Sequence, residues 1–368
     1  MTRPARVVID QAALQHNLAQ VRALAPRSKV MAIVKADAYG HGITRVARAL
    51  RSADAFGVAC LEEARELREA GITQPLVLLE GPYSAAEMDE ISALKLDIVV
   101  HDQSQISILE KTGISRPVAV WLKIDSGMHR LGFLPEYIGP VWKRLIHCSS
   151  VADNIRLMTH LANANQRNDE MTGTQLDCFR SVTADFPAEK SIANSAGIIA
   201  YPGSHADWVR PGLMLYGASP MNDSTSREEN LLPVMTLETK LIAVKILRAN
   251  DPVGYGATWR CPEEMPVGVV AAGYGDGYPR HAPSGTPVLV NGQRTALIGR
   301  ASMDMLTVDL RNQPEARVGD PVILWGAGLP VEEIAAHAGT IPYELLCGVH
   351  KRLQFIEHGE DQSTVSMQ

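Results

Sequence analysis

The sequence predicts a (β/α)8 barrel of the TIM type followed by a smaller, mainly β domain, and three observations carry that expectation. Short apolar runs alternate with amphipathic stretches over about two hundred residues, the pattern of strands each covered by a helix. Reactive residue types fall at or just beyond the carboxyl ends of different proposed strands, the face on which barrel enzymes assemble their sites. Beyond a polar, turn-rich stretch at 219–233, SPMNDSTSREENLLP, strands separated by Gly, Pro and Asn turns take over. A doubly wound sheet would show the same alternation; the placement of the reactive residues favours the barrel.

In chain order, residues 11–24, QAALQHNLAQVRAL, repeat apolar positions at helical spacing behind Asp10, an N-cap residue. Barrel strands are expected at 30–34, 56–59, 76–79, 97–100, 118–124, 155–159, 191–193 and 207–209. Helices are expected within 61–70, 84–94, 104–112, 135–147 and 170–185. The run at 30–34 is apolar throughout, as in a strand buried on both faces. Further on, LETKLIAVKIL, VGVVAAGYG, TPVLVNGQRTALIG, MLTVDL and DPVILWG read as strands, with VNGQ a two-residue hairpin and helices at 331–338 and 342–347. The domains are therefore placed at 1–225 and 226–368.

With 368 residues the chain can bury a sizeable core. At 46% hydrophobic, 21% charged and a net charge of -6, with no basic block, it gives no encouragement to nucleic-acid or membrane-surface binding. No apolar run reaches transmembrane length. Only Val7 to Ile9 form an apolar core near the amino terminus before Asp10 interrupts it, so a secretory signal is not expected and the cytoplasm is. Cys60, Cys148, Cys178, Cys261 and Cys347 lack CxxC spacing, which argues for reduced thiols and against a zinc site, and no metal is expected.

Lys35 stands where the first barrel strand ends. Its stem can follow the strand inward, but its ammonium is costly to bury without a partner or a chemical task. It is a candidate Schiff-base former, with Tyr39 one loop away. On the residues alone the plainer account is a lysine whose head reaches solvent at the rim. An aldehyde cofactor, pyridoxal phosphate foremost, would require phosphate donors, a partner for its ring nitrogen and a group for the substrate proton. ANSAGI and VRPGLMLYG offer Ser195, Gly212 and Leu213 as phosphate donors, or form ordinary strand-to-helix turns. Pro211 keeps the chain extended at Arg210 and so aims its guanidinium, which could equally pair with a carboxylate. His160 is a strand-end histidine, either catalytic or a satisfied polar residue at the core's rim. Arg130 also lies beyond a strand end. In GYGATW, Tyr255 is flanked by Gly254 and Gly256, so its hydroxyl can project toward a ligand; a turn aromatic packed on the surface has the same sequence. As a base it would need neighbouring cations to stabilise its phenolate, a part expected of His160 and Arg210.

Nine segments in order carry a resemblance: VKADAYGHG around Lys35, LKIDSGMHRLGF at 122–133, HLANAN at 160–165, ANSAGI, VRPGLMLYGASP at 209–220, VGYGATW, GYGDGYPR at 273–280, GRASMDMLTVDL at 299–310 and PYELLCG at 342–348. Together they make the chain resemble the bacterial alanine racemases, fold-type III pyridoxal phosphate enzymes with a barrel and a β domain. The resemblance runs essentially from end to end.

The resemblance implies that Lys35 holds pyridoxal phosphate and acts as the base on one face of the substrate Cα, with Tyr255 on the other. It implies Arg210 facing the pyridine nitrogen and His160 linking Tyr255 to Arg210. Arg130 would reach the cofactor's phenolic oxygen and the substrate carboxylate, near the backbone amide of Met303. Tyr39, Ser195, Gly212, Leu213 and Tyr343 match a phosphate shell, while Tyr274 and Tyr343, with Asp304 behind them, match residues that narrow the access channel. Lys123 matches a lysine that is carbamylated in some members; the alternative is a plain ammonium paired with a carboxylate such as Asp125. Asn165 departs from an expected aspartate. The resemblance further implies alanine as substrate and a homodimer whose two sites are shared, with D-alanine going to peptidoglycan or alanine being catabolised. Barrel decarboxylases of basic amino acids place a glutamate where Arg210 stands, a single-barrel cofactor carrier has no use for the second domain, and a racemase of broader range is a nearer competitor.

Overall fold

In the computed structural model, which describes residues 3–359, the chain forms two compact units. One spans Gln15–Leu215 and Ser219–Ser224; the other gathers the described residues up to Leu14, Tyr216–Ala218, and those from Thr225 onward. Residues 1–2 and 360–368, included in the expected domain ranges, lie outside the described residues.

The first strand, β1 (Arg6–Asp10), corrects the expectation that residues 1–225 all serve the barrel. It pairs antiparallel with Met235–Leu247 and parallel with Gln354–His358. Val7 and Ile9 are buried while Arg6 and Val8 are more open, the alternation of a strand with one wet face. A parallel barrel strand is covered on both faces, so this pattern does not suit one. Asp10 then caps the helix Gln11–Leu24 as expected, its Oδ1 accepting the Ala13 amide at 3.0 Å.

The barrel consists of β2 (Lys29–Ile33), β3 (Ala55–Val58), β4 (Leu76–Leu78), β5 (Leu96–Val100), β6 (Val120–Lys123), β7 (Arg156–Met158), β8 (Lys190–Asn194) and β9 (Trp208–Arg210), parallel and closed by β9 on β2. All eight coincide with expected strands. Helices Leu61–Glu69, Met88–Ala93, Gln103–Lys111, Ile138–Ile146 and Glu170–Val182 occupy the amphipathic stretches. Helices Ile43–Ala49 and Ser195–Ala200 were not expected, being too short to display a period.

Charged and aromatic groups close the barrel at its amino-terminal rim. Arg156 bridges Asp97 at 3.0 Å and Glu189 at 2.9 Å, Lys29 meets Glu189 at 2.7 Å, and Trp121 and Trp208 pack edge to face at 5.6 Å beneath the Arg156 guanidinium. With that end plugged, chemistry is left to the carboxyl-terminal face.

The other unit adds β10 (Met235–Leu247), β11 (Pro252–Val253), β12 (Trp259–Arg260), β13 (Met265–Val270), β14 (Pro287–Val290), β15 (Gln293–Ala296), β16 (Leu306–Asp309), β17 (Pro321–Trp325) and β18 (Gln354–His358). The main sheet runs in the order β15-β14-β17-β10-β1-β18, with β13 pairing β10 and β16, while β11 and β12 pair with each other as a separate ribbon. Asn291 and Gly292 both have positive φ, as the hairpin signal required. Helices Val331–Ala338 and Pro342–Cys347 stand where expected. VGVVAAGYG was expected to be strand to its end, but β13 stops at Val270. Beyond it the chain bonds to a neighbouring loop in place of a strand, and it lies so close that a Cβ at Gly273 would be 2.2 Å from the Ser302 carbonyl.

Candidate active site

Lys35 follows β2 by two residues and opens a turn of unusual hand. Ala36, Asp37, Ala38 and Tyr39 have φ of 55°, 52°, 53° and 54°. A left-handed conformation costs a non-glycine residue roughly 1–2 kcal/mol, so four in succession persist only if the surroundings hold them. Asp37 accepts the Ile43 amide on Oδ1 at 2.8 Å and the Gly42 amide on its carbonyl at 2.9 Å. The Nδ1 of His41 lies 3.0 Å and 2.9 Å from the Ala38 and Tyr39 carbonyls, so Nδ1 carries the hydrogen and donates. Burial lowers the His41 pKa to about 4, which keeps the ring neutral in this role. The turn delivers Tyr39 to the interior, where it is buried.

Arg210 ends β9 and is 4% exposed. Its partners are neutral: it donates to Ser191 Oγ, to the Thr159 carbonyl and to the Ile192 carbonyl, and its Nη2 is 3.5 Å from His160 Nδ1. The carboxylate pair left open by the sequence is not what holds it. Burial lowers its pKa to about 10, so the guanidinium remains charged at neutral pH. His160, just beyond β7, is pushed well below its ordinary 6.5, first by desolvation and then by the cations Arg210, Lys123, Arg130 and Lys35. It is therefore a neutral imidazole and not a source of positive charge, which corrects the expectation that it would help stabilise a phenolate as a cation.

Lys123 ends β6 and is buried. Desolvation, with Arg210, Arg130 and Lys35 nearby, lowers its pKa to about 8, and the carboxylate opposing that shift is Glu80. Asp125, the partner considered from sequence, is committed elsewhere: it accepts the Gly127 and His129 amides and pairs with the His129 ring at 3.1 Å. Lys123, Arg130, Thr159 and His160 line one small cleft. Asn165 donates from Nδ2 to Asn222 Oδ1 at 3.0 Å, a neutral contact in place of the expected acid.

A second group of residues suits a phosphate. Ser195 Oγ accepts the amides of Gly212 at 2.8 Å and Met214 at 3.4 Å, which leaves its hydroxyl hydrogen for another acceptor. Asn194, the cap of the helix that Ser195 begins, holds the Gly197 amide at 2.9 Å. A Cβ at Gly212 would lie 2.5 Å from Tyr39 Oη, so only glycine lets that phenol lie against the backbone beside Leu213. Two hydroxyl donors and a close glycine backbone make a donor set that fits a phosphate-bearing cofactor near Lys35.

The β unit carries the remaining candidates. Tyr255 projects from the turn joining β11 to β12, between Gly254 (φ 71°) and Gly256 (φ 74°), and is 67% exposed. Val253 and Trp259, at the base of the turn, pack with Cys261, Met265, Val267 and Ile298, which makes the base firm while the tip stays open. Tyr274 and Met303 belong to two loops zipped by the Tyr274 amide to the Ser302 carbonyl at 3.0 Å and the Gly275 amide to the Met303 carbonyl at 2.9 Å. Asp276, unexpected from sequence although it sits within GYGDGYPR, organises these loops. Fully buried, it accepts two bonds from Arg3 at 2.9 Å, one from Arg352 at 2.7 Å and the Gly273 amide at 2.9 Å. Asp304 shares Arg352 at 2.8 Å. Tyr343 lies in the first turn of the helix Pro342–Cys347, and burial raises its pKa to about 12, which keeps the phenol a hydrogen-bond donor.

Comparison with known proteins covers nearly the whole chain. Residues 9–220 match the family described as alanine racemase, N-terminal domain, and residues 234–357 match alanine racemase, C-terminal domain. An alanine racemase from Nitrosococcus oceani is 56% identical over 348 residues, 95% of this chain and 98% of that protein. One from Coxiella burnetii is 53% identical over 358 residues, covering 96% and 98% respectively. The crystal structure of biosynthetic alanine racemase from Pseudomonas aeruginosa matches with a TM-score of 0.95 at 45% identity, covering 97% of this chain and 100% of that one. The structure of alanine racemase from Acinetobacter baumannii matches at 0.90 and 39% identity, with coverage of 97% and 100%.

Proposed function

The chain belongs to the alanine racemase family of pyridoxal-phosphate-dependent enzymes, and from that premise we propose that it interconverts L-alanine and D-alanine with Lys35 and Tyr255 as acid–base groups on opposite faces of the substrate. The observation that carries this reading is the buried Arg210, held by neutral partners beside a neutral His160 at the carboxyl end of the barrel. Such an arginine leaves its charge and donors for a ring nitrogen.

When bound at Lys35, pyridoxal phosphate supplies the electron sink that makes the substrate Cα–H acidic. Lys35 takes or gives the proton on one face and Tyr255 on the other, because a single base tends to return a proton to the side it left. Arg210 donates to the pyridine nitrogen without readily surrendering a proton, which suppresses side reactions such as transamination. His160, accepting from Arg210 through Nδ1, has Nε2–H available as a donor, and we assign that donor to the Tyr255 oxygen. Arg130 and the Met303 amide orient the substrate carboxylate. Lys123, in our assignment, orients Arg130. Tyr39, Ser195, Gly212, Leu213 and Tyr343 hold the phosphate, and Tyr274, Tyr343 and Asp304 narrow the way in. The barrel unit carries the cofactor and the β unit the tyrosine.

We assign the active form to a homodimer with shared sites, in keeping with the exposure of Tyr255 and of Met303, which is 53% exposed. Among the described residues no helix is long and apolar enough to cross a membrane, and we place the enzyme in the cytoplasm, making D-alanine for peptidoglycan or consuming alanine. The test mixes Lys35→Ala and Tyr255→Phe chains under subunit exchange. Each is expected to be inactive alone, and the mixture to regain racemisation of L-alanine with solvent deuterium entering Cα. A mixture that stays inactive rules out shared sites, and a parent enzyme that leaves L-alanine unexchanged rules out the reaction.

A further inference from the structure

We propose that Glu63 is a positioning residue for Lys35: its carboxylate clamps the first amide of the left-handed turn and so sets where the lysine amine stands. The inference rests on Lys35 being the cofactor lysine. Glu63 lies in the first turn of the helix Leu61–Glu69, just past β3. One of its oxygens accepts the Ala59 amide at 2.8 Å, the ordinary service of an acidic side chain to the amides ahead of its own helix. The other leaves the helix and accepts the amide of Ala36, the residue after Lys35, at 2.6 Å. A helix cap accounts for the first bond and not the second.

The geometry at Ala36 gives that second bond its consequence. Ala36 is the first of the four residues held near φ of 50 to 55°, beyond the end of β2 at Ile33. Downstream, the turn is pinned through Asp37 and His41. Upstream, the Val34 amide is tied to the Gly57 carbonyl at 3.0 Å, so Lys35 is suspended between that bond and the Glu63 clamp. An ionised carboxylate accepts both amides at once in charge-assisted bonds. The amide of Glu63→Gln has a single acceptor oxygen and turns N–H against N–H at the other position, while Glu63→Ala removes both bonds.

The experiment compares Glu63→Gln and Glu63→Ala with the parent, using Glu62→Ala, at the exposed neighbouring position, as control. Amide hydrogen exchange on the cofactor-free chain is expected to quicken about tenfold or more within residues 34–42 in Glu63→Ala, and less in Glu63→Gln, with Ala59 also affected, the barrel peptides remote from these two segments unchanged and unfolding still cooperative. With cofactor restored, binding of pyridoxal phosphate is expected to weaken about tenfold and kcat to fall by a similar factor while KM for alanine shifts less than about twofold, because the alanine contacts are untouched. Unchanged exchange in both variants overturns the proposal. So does faster exchange with parental kcat and cofactor affinity, since the clamp would then serve only the turn. Failure of the Lys35 assignment is read separately: borohydride reduction of the parent would leave the peptide containing Lys35 unlabelled.

Discussion

The guanidinium of Arg210 lies 3.5 Å from Nδ1 of His160, and this contact adds to what burial does to the histidine. The loss of water first, and then the cation beside it, oppose imidazolium, so His160 stays neutral below its ordinary 6.5. Replacing Arg210 with Met is expected to raise the His160 pKa toward 6.5, read from imidazole nitrogen shifts in the cofactor-free protein. The sign for stability follows. A histidine kept neutral by the fold contributes stability in full above 6.5 and loses it as pH falls below that value, because the unfolded chain binds the proton first. Arg210→Met should therefore flatten the decline of stability between pH 6.5 and 5, as measured by urea unfolding.

Lys123, lowered to about 8, is expected to react with carbon dioxide far more readily than a surface lysine. At pH 8 about half of such amines are unprotonated, against well under about one in a hundred for an ordinary lysine. Labelled bicarbonate should give a carbamate carbon signal in the parent that disappears in Lys123→Met. A signal surviving in that variant would place the modification elsewhere.

A methyl group at position 212 would collide with the Tyr39 hydroxyl at 2.5 Å. Gly212→Ala is expected to weaken pyridoxal phosphate at least about tenfold, through displacement of the phenol we assign to the phosphate and of the backbone beside Leu213. Adding Tyr39→Phe should recover thermal stability without recovering cofactor affinity, as titration and melting would show. Recovery of both would mean that Tyr39 does not serve the phosphate.

Asp276 is buried beneath two partly open arginines, Arg3 and Arg352. Asp276→Asn is expected to cost about 2 to 4 kcal/mol in urea unfolding, because two arginines lose the charge they pair with; their partial exposure lets water offset some of that loss. Because it holds the loops carrying Tyr274 and Met303, KM for alanine should rise more than kcat falls, which steady-state kinetics would reveal.

Much of the barrel was legible because its strands are continuous apolar runs and its helices have a visible period, features that depend only on neighbours along the chain. The Asn291-Gly292 hairpin was legible for the same reason: its conformation is dictated by its own two residues. Nothing local announced the left-handed course of Ala36 to Tyr39, because alanine and tyrosine do not favour it; it exists through bonds from Glu63, Asp37 and His41. Asp276 was printed inside a motif, yet its burial depends on Arg3 and Arg352, 273 and 76 residues away.

By itself the sequence determined the order of strands and helices, the residue types placed at the strand ends, and the family to which the motifs belong. Tertiary structure decided that β1 joins the second unit's sheet, since a strand with one open face needs a partner whose pattern matches its own. It also decided the charge states of His160 and Lys123. Those depend on how much water is excluded and how many cations gather at the barrel mouth, and such groups are brought together only when the barrel closes.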